Sequence, residues 1–327
     1  MDFGRIFVDA LRAAVGVPAA AYALAGIGLN VHYGYTGLLN FGQVGFMLVG
    51  AYGTAITVDK GGPLWLGFLV GIAAAVALGL ILGLPTLRLR ADYLAIVTIA
   101  VAEILRLVAR TRSAEPLTQG VRGIAAFAGS FYRINPIHSG IYGVGDLRFS
   151  SRNLWVIVVG WGVVAVSTVV VFLLVRSPWG RVLRSIREDE DAARSLGKNV
   201  FGYKLQSLVL GGVIGAFAGM LLAVDTQFVG PDTYIAVLTF FAYIVMIMGG
   251  PARVPGPILG AVLFWFLLQG TDGLLTQAIS HRYITFLHTT DVGAVRFALV
   301  GLGLMLLMAF RPQGILGRRE EQFIDER

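Results

Sequence analysis

Apolar residues in this chain come in blocks of about twenty, separated by short polar or charged breaks. The blocks fall at 13–31, 36–58, 64–86, 91–109, 153–175, 205–224, 233–250, 254–270 and 293–310. About 20 residues of helix are what a bilayer's hydrocarbon layer needs. The pattern therefore predicts an all-α, polytopic transmembrane helical bundle, a single domain over 1–327 with about nine spans. A tenth crossing or a re-entrant segment near 32–58 would raise the count to ten. Residues 1–12 mix apolar and charged positions at helical spacing and are expected along the membrane surface before the first span. Residues 271–292 read as too polar to span; Tyr283, Phe286, His281, Arg282 and His288 suggest an interfacial segment.

The breaks set the orientation. The densest charge lies in 176–204, with Arg176, Arg181, Arg184, Arg187, Arg194, Lys198 and Lys204 against Glu188, Asp189, Glu190 and Asp191. Excess Lys and Arg place such a loop in the cytoplasm. The tail 311–327, Arg253, Arg88 and Arg90 then fall on the same side. The basic-free 225–232 falls outside, as does the long loop 110–152 despite six arginines; long loops obey the rule less strictly. The N-terminus comes out external on this count, against Arg5 and Arg12.

Composition narrows the class. The chain is 56% hydrophobic and 14% charged, where a soluble domain carries about 25% charge. Its 43 glycines suit helices that approach closely in lipid. The net charge of +7 sits in loops and tail and is not read as a nucleic-acid surface. With no cysteine there is no disulfide, thiolate nucleophile or cysteine-ligated metal. His32, His138, His281 and His288 are scattered, so no metal site is assigned. There is no G-x-x-x-x-G-K-[ST] loop and no G-x-S-x-G elbow, so neither ATP binding nor catalysis is expected of this chain. A cleavable leader is not evident, and the first block reads as a retained span.

Four local patterns carry candidate chemistry. In 176–204, Ser177 can cap a helix, Pro178 suits its first position, Gly197 can close it in a left-handed turn, and the acidic run can start a second short helix. The same charges would serve a solvated connector that only sets topology. The second block holds Gly37, Gly42, Gly45, Gly50 and Gly53 with Asn40 and Gln43, which reads either as a tight packing helix or as a broken, path-lining one. Gly211, Gly215 and Gly219 form a small-residue face for helix packing or a dimer contact. Glu103 and Arg106 can pair at i,i+3 near a helix end, while Asp92, beside Arg88 and Arg90, suits an interfacial anchor.

Several blocks resemble one family. G-L-N-V-H-Y-G-Y-T-G-L-L-N-F-G-Q-V-G-F-M-L-V-G-A-Y (28–52), L-R-L-R-A-D-Y-L-A-I-V-T-I-A-V-A-E-I-L-R-L-V (87–108), T-Q-G-V-R-G-I (118–124), I-R-E-D-E-D-A-A-R-S-L-G-K-N (186–199) and M-G-G-P-A-R-V-P-G-P-I-L-G-A (248–261) look like the branched-chain amino acid ABC permeases of the LivH/LivM family, the LivM branch above all. They occur in family order across nearly the whole chain. The departures are Asp191 for Glu, Gln119 and Arg122 in a usually plainer loop, and a shorter N-terminus.

The resemblance implies an ABC importer permease in a bacterial inner membrane, carrying branched-chain or related amino acids. A second permease subunit, two cytoplasmic ATPases that hold the ATP and magnesium, and an extracytoplasmic solute-binding protein would complete the assembly. Arg187, Glu190, Asp191, Ala192, Ala193 and Gly197 would couple it to the ATPases, with Asn40 and Gln43 as path candidates. Three rivals stand beside this reading. Urea, short amides or another solute would suit the same permease type. An ion-coupled secondary transporter would need mid-span carboxylates, which are missing. A membrane enzyme would need clustered His, Asp or Glu at one depth.

Overall fold

A computed structural model describes residues 3–87, 91–280, 292–311 and 313–317. Arg88, Arg90, the Asp92 side chain, residues 281–291 and 318–327 lie outside the described set, and with them the interfacial anchor and the tail charges Arg318 and Arg319.

The apolar blocks fold as helices. In chain order these are α1 (Phe3–Val15), α2 (Val17–Leu29) with a π-helical continuation Asn30–Tyr35, α3 (Gln43–Asp59), α4 (Leu64–Thr86) and α5 (Ala91–Arg110). Small helices α6 (Glu115–Thr118) and α7 (Gly129–Arg133) follow, then α8 (Ser151–Arg176), α9 (Pro178–Glu188), α10 (Glu190–Ser195), α11 (Val200–Thr226), α12 (Val237–Gly249), α13 (Gly256–Ser280) and α14 (Val292–Phe310). Among the described residues, five helices are long and apolar enough to cross a membrane, six if α1 and α2 count as one bent span. The shorter α3 and the more charged α5 run beside them.

Among the described residues, four short strands sit in the connections: β1 (Ile124–Ala125), β2 (Ile141–Val144), β3 (Leu147–Ser150) and β4 (Phe228–Val229). β2 and β3 form a hairpin, with Ile141 opposite Ser150, around a tight turn in which Gly145 takes φ +61°, a left-handed value that glycine adopts freely. β1 pairs antiparallel with β4, Ile124 opposite Val229, which ties the long loop to the end of α11. This defines a loop end of the bundle; the α9–α10 segment marks the other, the elbow end.

α11 is the central post. It packs on α2, α3 and α4, and its glycine face is why. A Cβ on Gly211 would collide with His32 and the Gly28 carbonyl, one on Gly215 with Gln43, and one on Gly219 with the Met47 backbone. The three glycines thus pack inside the chain, against α2 and α3.

Three boundaries differ from the sequence reading. α1 buries Ile6, Ala10 and Ala14 and packs on α13, with Phe7 edge-on to Phe266 at 5.8 Å. It meets α2 at 44° instead of standing apart, because Gly16 is extended and Pro18 opens the next helix. The second block does not begin as a helix at 36; α3 starts only at Gln43. And α13 continues as helix through the polar stretch to Ser280, since Asp272 finds Arg296 of α14 at 2.9 Å and is not left as a bare charge.

Candidate coupling elbow and broken span

The elbow is two short helices set by their own ends. The Ser177 hydroxyl accepts from Trp179 N at 3.2 Å and Pro178 fills the first turn of α9. Leu183 and Ile186 turn inward while Arg181, Arg184 and Arg187 stay exposed. Asp189, extended at φ −152°, breaks the helix and caps α10, its carboxylate accepting from Asp191 N and Ala192 N at 2.9 Å each. α10 closes on Gly197 at φ +75°, with Gly197 N bonded to Arg194 O and Lys198 N to Ala193 O. That pair of bonds is a Schellman stop.

The elbow's inner face is apolar: Ile186, Ala193 and Val200 form a small buried cluster. Its acidic side is tied back, since Glu190 pairs with Lys204 of α11 and with Arg194. Its outer face carries Asp191, Ala192, Leu196 and Gly197, all exposed. Leu196 is 77% exposed, an apolar side chain left in the open between charges. Of the proposed coupling residues, Ala193 alone is buried; Leu196 was not singled out by sequence, although its place beside the small Ala192 and Gly197 was the available signal.

Arg187 faces the other way. Its guanidinium donates to the carbonyl of Gly34 in the π-helical end of α2, so the elbow rests directly on the break between α2 and α3. That break is irregular over residues 37–42 yet largely buried. Buried backbone in a membrane must find its partners inside the protein. Here side chains supply them: Thr98 Oγ1 accepts from Phe41 N at 3.1 Å, Thr239 Oγ1 from Val44 N at 2.9 Å, and Asn40 Oδ1 from Gly42 N at 2.9 Å.

Asn40 and Gln43 are both fully buried, and they brace the break. Asn40 Nδ2 donates to His32 Nδ1 at 3.1 Å and to Gln43 Oε1 at 3.2 Å; Gln43 Nε2 donates to Gly211 O at 3.1 Å. His32 Nε2 lies 3.0 Å from Leu208 O. A carbonyl only accepts, so Nε2 carries the ring proton and Nδ1 is left to accept from Asn40. Both amides therefore point at protein and neither faces an open path. Asn30 fastens the same region to the turn after α12, donating to Arg253 O and accepting from Ala252 N at 2.8 Å each. Thr36 and Ser207 share a hydroxyl bond at 2.7 Å. Sequence reading missed His32, Thr36, Thr98, Ser207 and Thr239, which are ordinary until their distant partners are known.

At the loop end, Arg106 grips Glu103 through two bonds, 2.6 and 2.9 Å, and reaches Asp232 at 2.9 Å. Asp232 also takes Arg110 at 3.4 Å. This is a cross-loop clamp between α5 and the segment before α12. No group of three or more His, Cys, Asp or Glu suited to a metal ion occurs among the described residues.

Comparison with known proteins places this architecture. The chain is 32% identical over 313 residues to the Escherichia coli high-affinity branched-chain amino acid transport system permease protein LivM, covering 90% of this chain and 67% of that one. It is 25% identical over 336 residues to the Methanocaldococcus jannaschii probable branched-chain amino acid transport permease protein LivM, 90% of each chain. It is 26% identical over 315 residues to Escherichia coli LivH, a permease protein of the same transport system, 92% of each chain. The family model for the branched-chain amino acid transport system permease component matches residues 13–309. A multi-pass helical bundle with this match over nearly all its length belongs to that family: the chain is a member of the branched-chain amino acid transport system permease components.

Proposed function

We propose that this chain is one membrane subunit of an ATP-driven importer in a bacterial inner membrane, moving branched-chain amino acids handed over by a solute-binding protein outside the cell. A second permease, resembling LivH where this chain resembles LivM, completes the pathway, and two ATPases sit under the elbow. The observation that carries the reading is the elbow itself. It offers an exposed, small and partly apolar surface (Asp191, Ala192, Leu196, Gly197), and its inner side is bonded through Arg187 to the broken span. A partner that tilts the elbow thus pushes on the irregular segment at the heart of the bundle. ATP and its magnesium belong to the partner, and this chain's part is mechanical.

Reconstitution in liposomes with the partner permease, ATPase and binding protein tests it. Leucine, isoleucine or valine loaded on the binding protein is expected to raise ATP hydrolysis and uptake together. Stimulation by urea or a short amide alone would move the cargo, and uptake that persists without any ATPase would overturn the coupling.

A further inference from the structure

A cavity of about 640 Å³ opens at the loop end of the bundle, over the junction of α1 and α2. Its lining carries charges of both signs, Asp9 and Asp225 against Arg12 and Arg152. The Arg152 guanidinium stacks over Tyr132, 4.5 Å from the ring centre. The Tyr132 hydroxyl donates to Val224 O at 2.9 Å and lies 3.5 Å from Asp225 O. Burial pushes the Tyr132 phenol above its usual range, so it stays neutral. Asp225 is half-buried and forms no ion pair among the described residues. Arg12 lines the same cavity, but its charge is met by Asp9, which also lines it, at 3.1 Å, and its Nη2 is held by Asp146 O at 3.0 Å. The Nε of Arg12 is buried with no partner. Val17 and Pro18, the first turn of α2, supply the apolar wall.

We infer that this cavity is a subsite for a free amino acid in its zwitterionic form, with Asp225 taking the α-ammonium, Arg152 the α-carboxylate, and Val17 and Pro18 the aliphatic side chain. The inference rests on the importer reading and sharpens it. A neutral solute such as urea has no use for an unpaired carboxylate beside a guanidinium, whereas a zwitterion satisfies both at once. The partly desolvated Asp225 gains most, because a half-buried charge without a counter-ion is the costly state that a bound ammonium relieves.

The chain has no cysteine, so one introduced at Gln269, on the cavity wall, is a unique reporter. The full chain with its partner subunits, in nanodiscs without nucleotide, is labelled with a cationic thiosulfonate. L-leucine is expected to slow labelling about tenfold, and leucinol and 4-methylpentanoate, each missing one charge, to need about tenfold higher concentration for the same protection, the weight of one charge-assisted hydrogen bond. Asp225→Asn is expected to erase the advantage of leucine over 4-methylpentanoate, and Arg152→Gln its advantage over leucinol. Asn153→Cys replaces the reporter should Gln269→Cys fold poorly, and either charge variant alone suffices. No protection by leucine, equal protection by urea, or protection unchanged in both charge variants overturns the subsite. Leucine-stimulated ATP hydrolysis without protection sinks the subsite and leaves the importer standing; protection without such stimulation does the reverse.

Discussion

The guanidinium of Arg187 is hydrogen-bonded to the carbonyl of Gly34, 153 residues away in sequence, and its side-chain stem lies 3.4 Å from where a Cβ on Gly37 would stand. The bond joins the surface elbow to the π-helical end of α2, next to the irregular stretch before α3. Gly34 has no room for anything larger, since a Cβ there would strike Asn30 and the Ala252 backbone. Arg187→Ala is therefore expected to leave the fold assembled, at a cost of about 1.5–3 kcal/mol for a hydrogen bond to a charged group, while ATP hydrolysis outruns transport. The ratio of solute moved to ATP hydrolysed checks it; an unchanged ratio would remove Arg187 from the coupling route.

Leu196 points outward, 77% exposed, with none of the described residues covering it. Replacing it with Asp adds a charge to the exposed face and disturbs no internal contact. The expected result is a normal melting temperature and a loss of about tenfold or more in ATPase recovered with the permease, in keeping with truncation of an interface anchor. Equal recovery would mean that the partner grips elsewhere.

Gly197 holds φ +75° in open surroundings. Alanine there meets no neighbour but must adopt a left-handed backbone, at about 1 kcal/mol. Valine, branched at Cβ, costs more and should shift α10 out of register. Comparing the thermal stabilities of the two variants with their coupling ratios separates strain from lost contact: Gly197→Ala should lower stability slightly and keep coupling.

His32 is locked between Leu208 O and Asn40 Nδ2. His32→Ala strands one buried acceptor and one donor, each worth about 1–3 kcal/mol when left unmade. The melting temperature in detergent should fall by several degrees, and His32→Gln should recover part of the loss. A His32→Ala variant as stable as the parent would show that water fills the gap.

Gly219 sits against the Met47 backbone. Gly219→Leu forces α11 from α3 and is expected to cost about 1–3 kcal/mol or more through overpacking, seen as low yield of folded protein. Normal yield would mean that the helices have slack.

The sequence was most legible where one dimension suffices. Runs such as 64–86 and 153–175 became α4 and α8 nearly residue for residue, because the thickness of a bilayer is read along a single helix. The elbow was legible as well: Ser177, Pro178, Asp189 and Gly197 act on neighbours within five residues. The broken span was not. Its irregular backbone is tolerable only because Thr98 and Thr239 arrive from 57 and 195 residues away, and no local pattern announces such donors and acceptors. The length of α13 was misjudged for a similar reason, since Asp272 reads as a helix end until Arg296 neutralises it. The strand pairs escaped notice because β1 and β4 are two residues each, too short to alternate.

The segment after α14 returns to the elbow end, where Ile315 N and Leu316 N bond the carbonyls of Met248 and Gly249 at 3.1 Å each. The turn that follows is clasped from its other flank by Asn30. Residue 30, the turn at 248–253 and residues 315–316 are thus stapled at one spot, and a protease cut just before Ile315 would free one jaw of that vice.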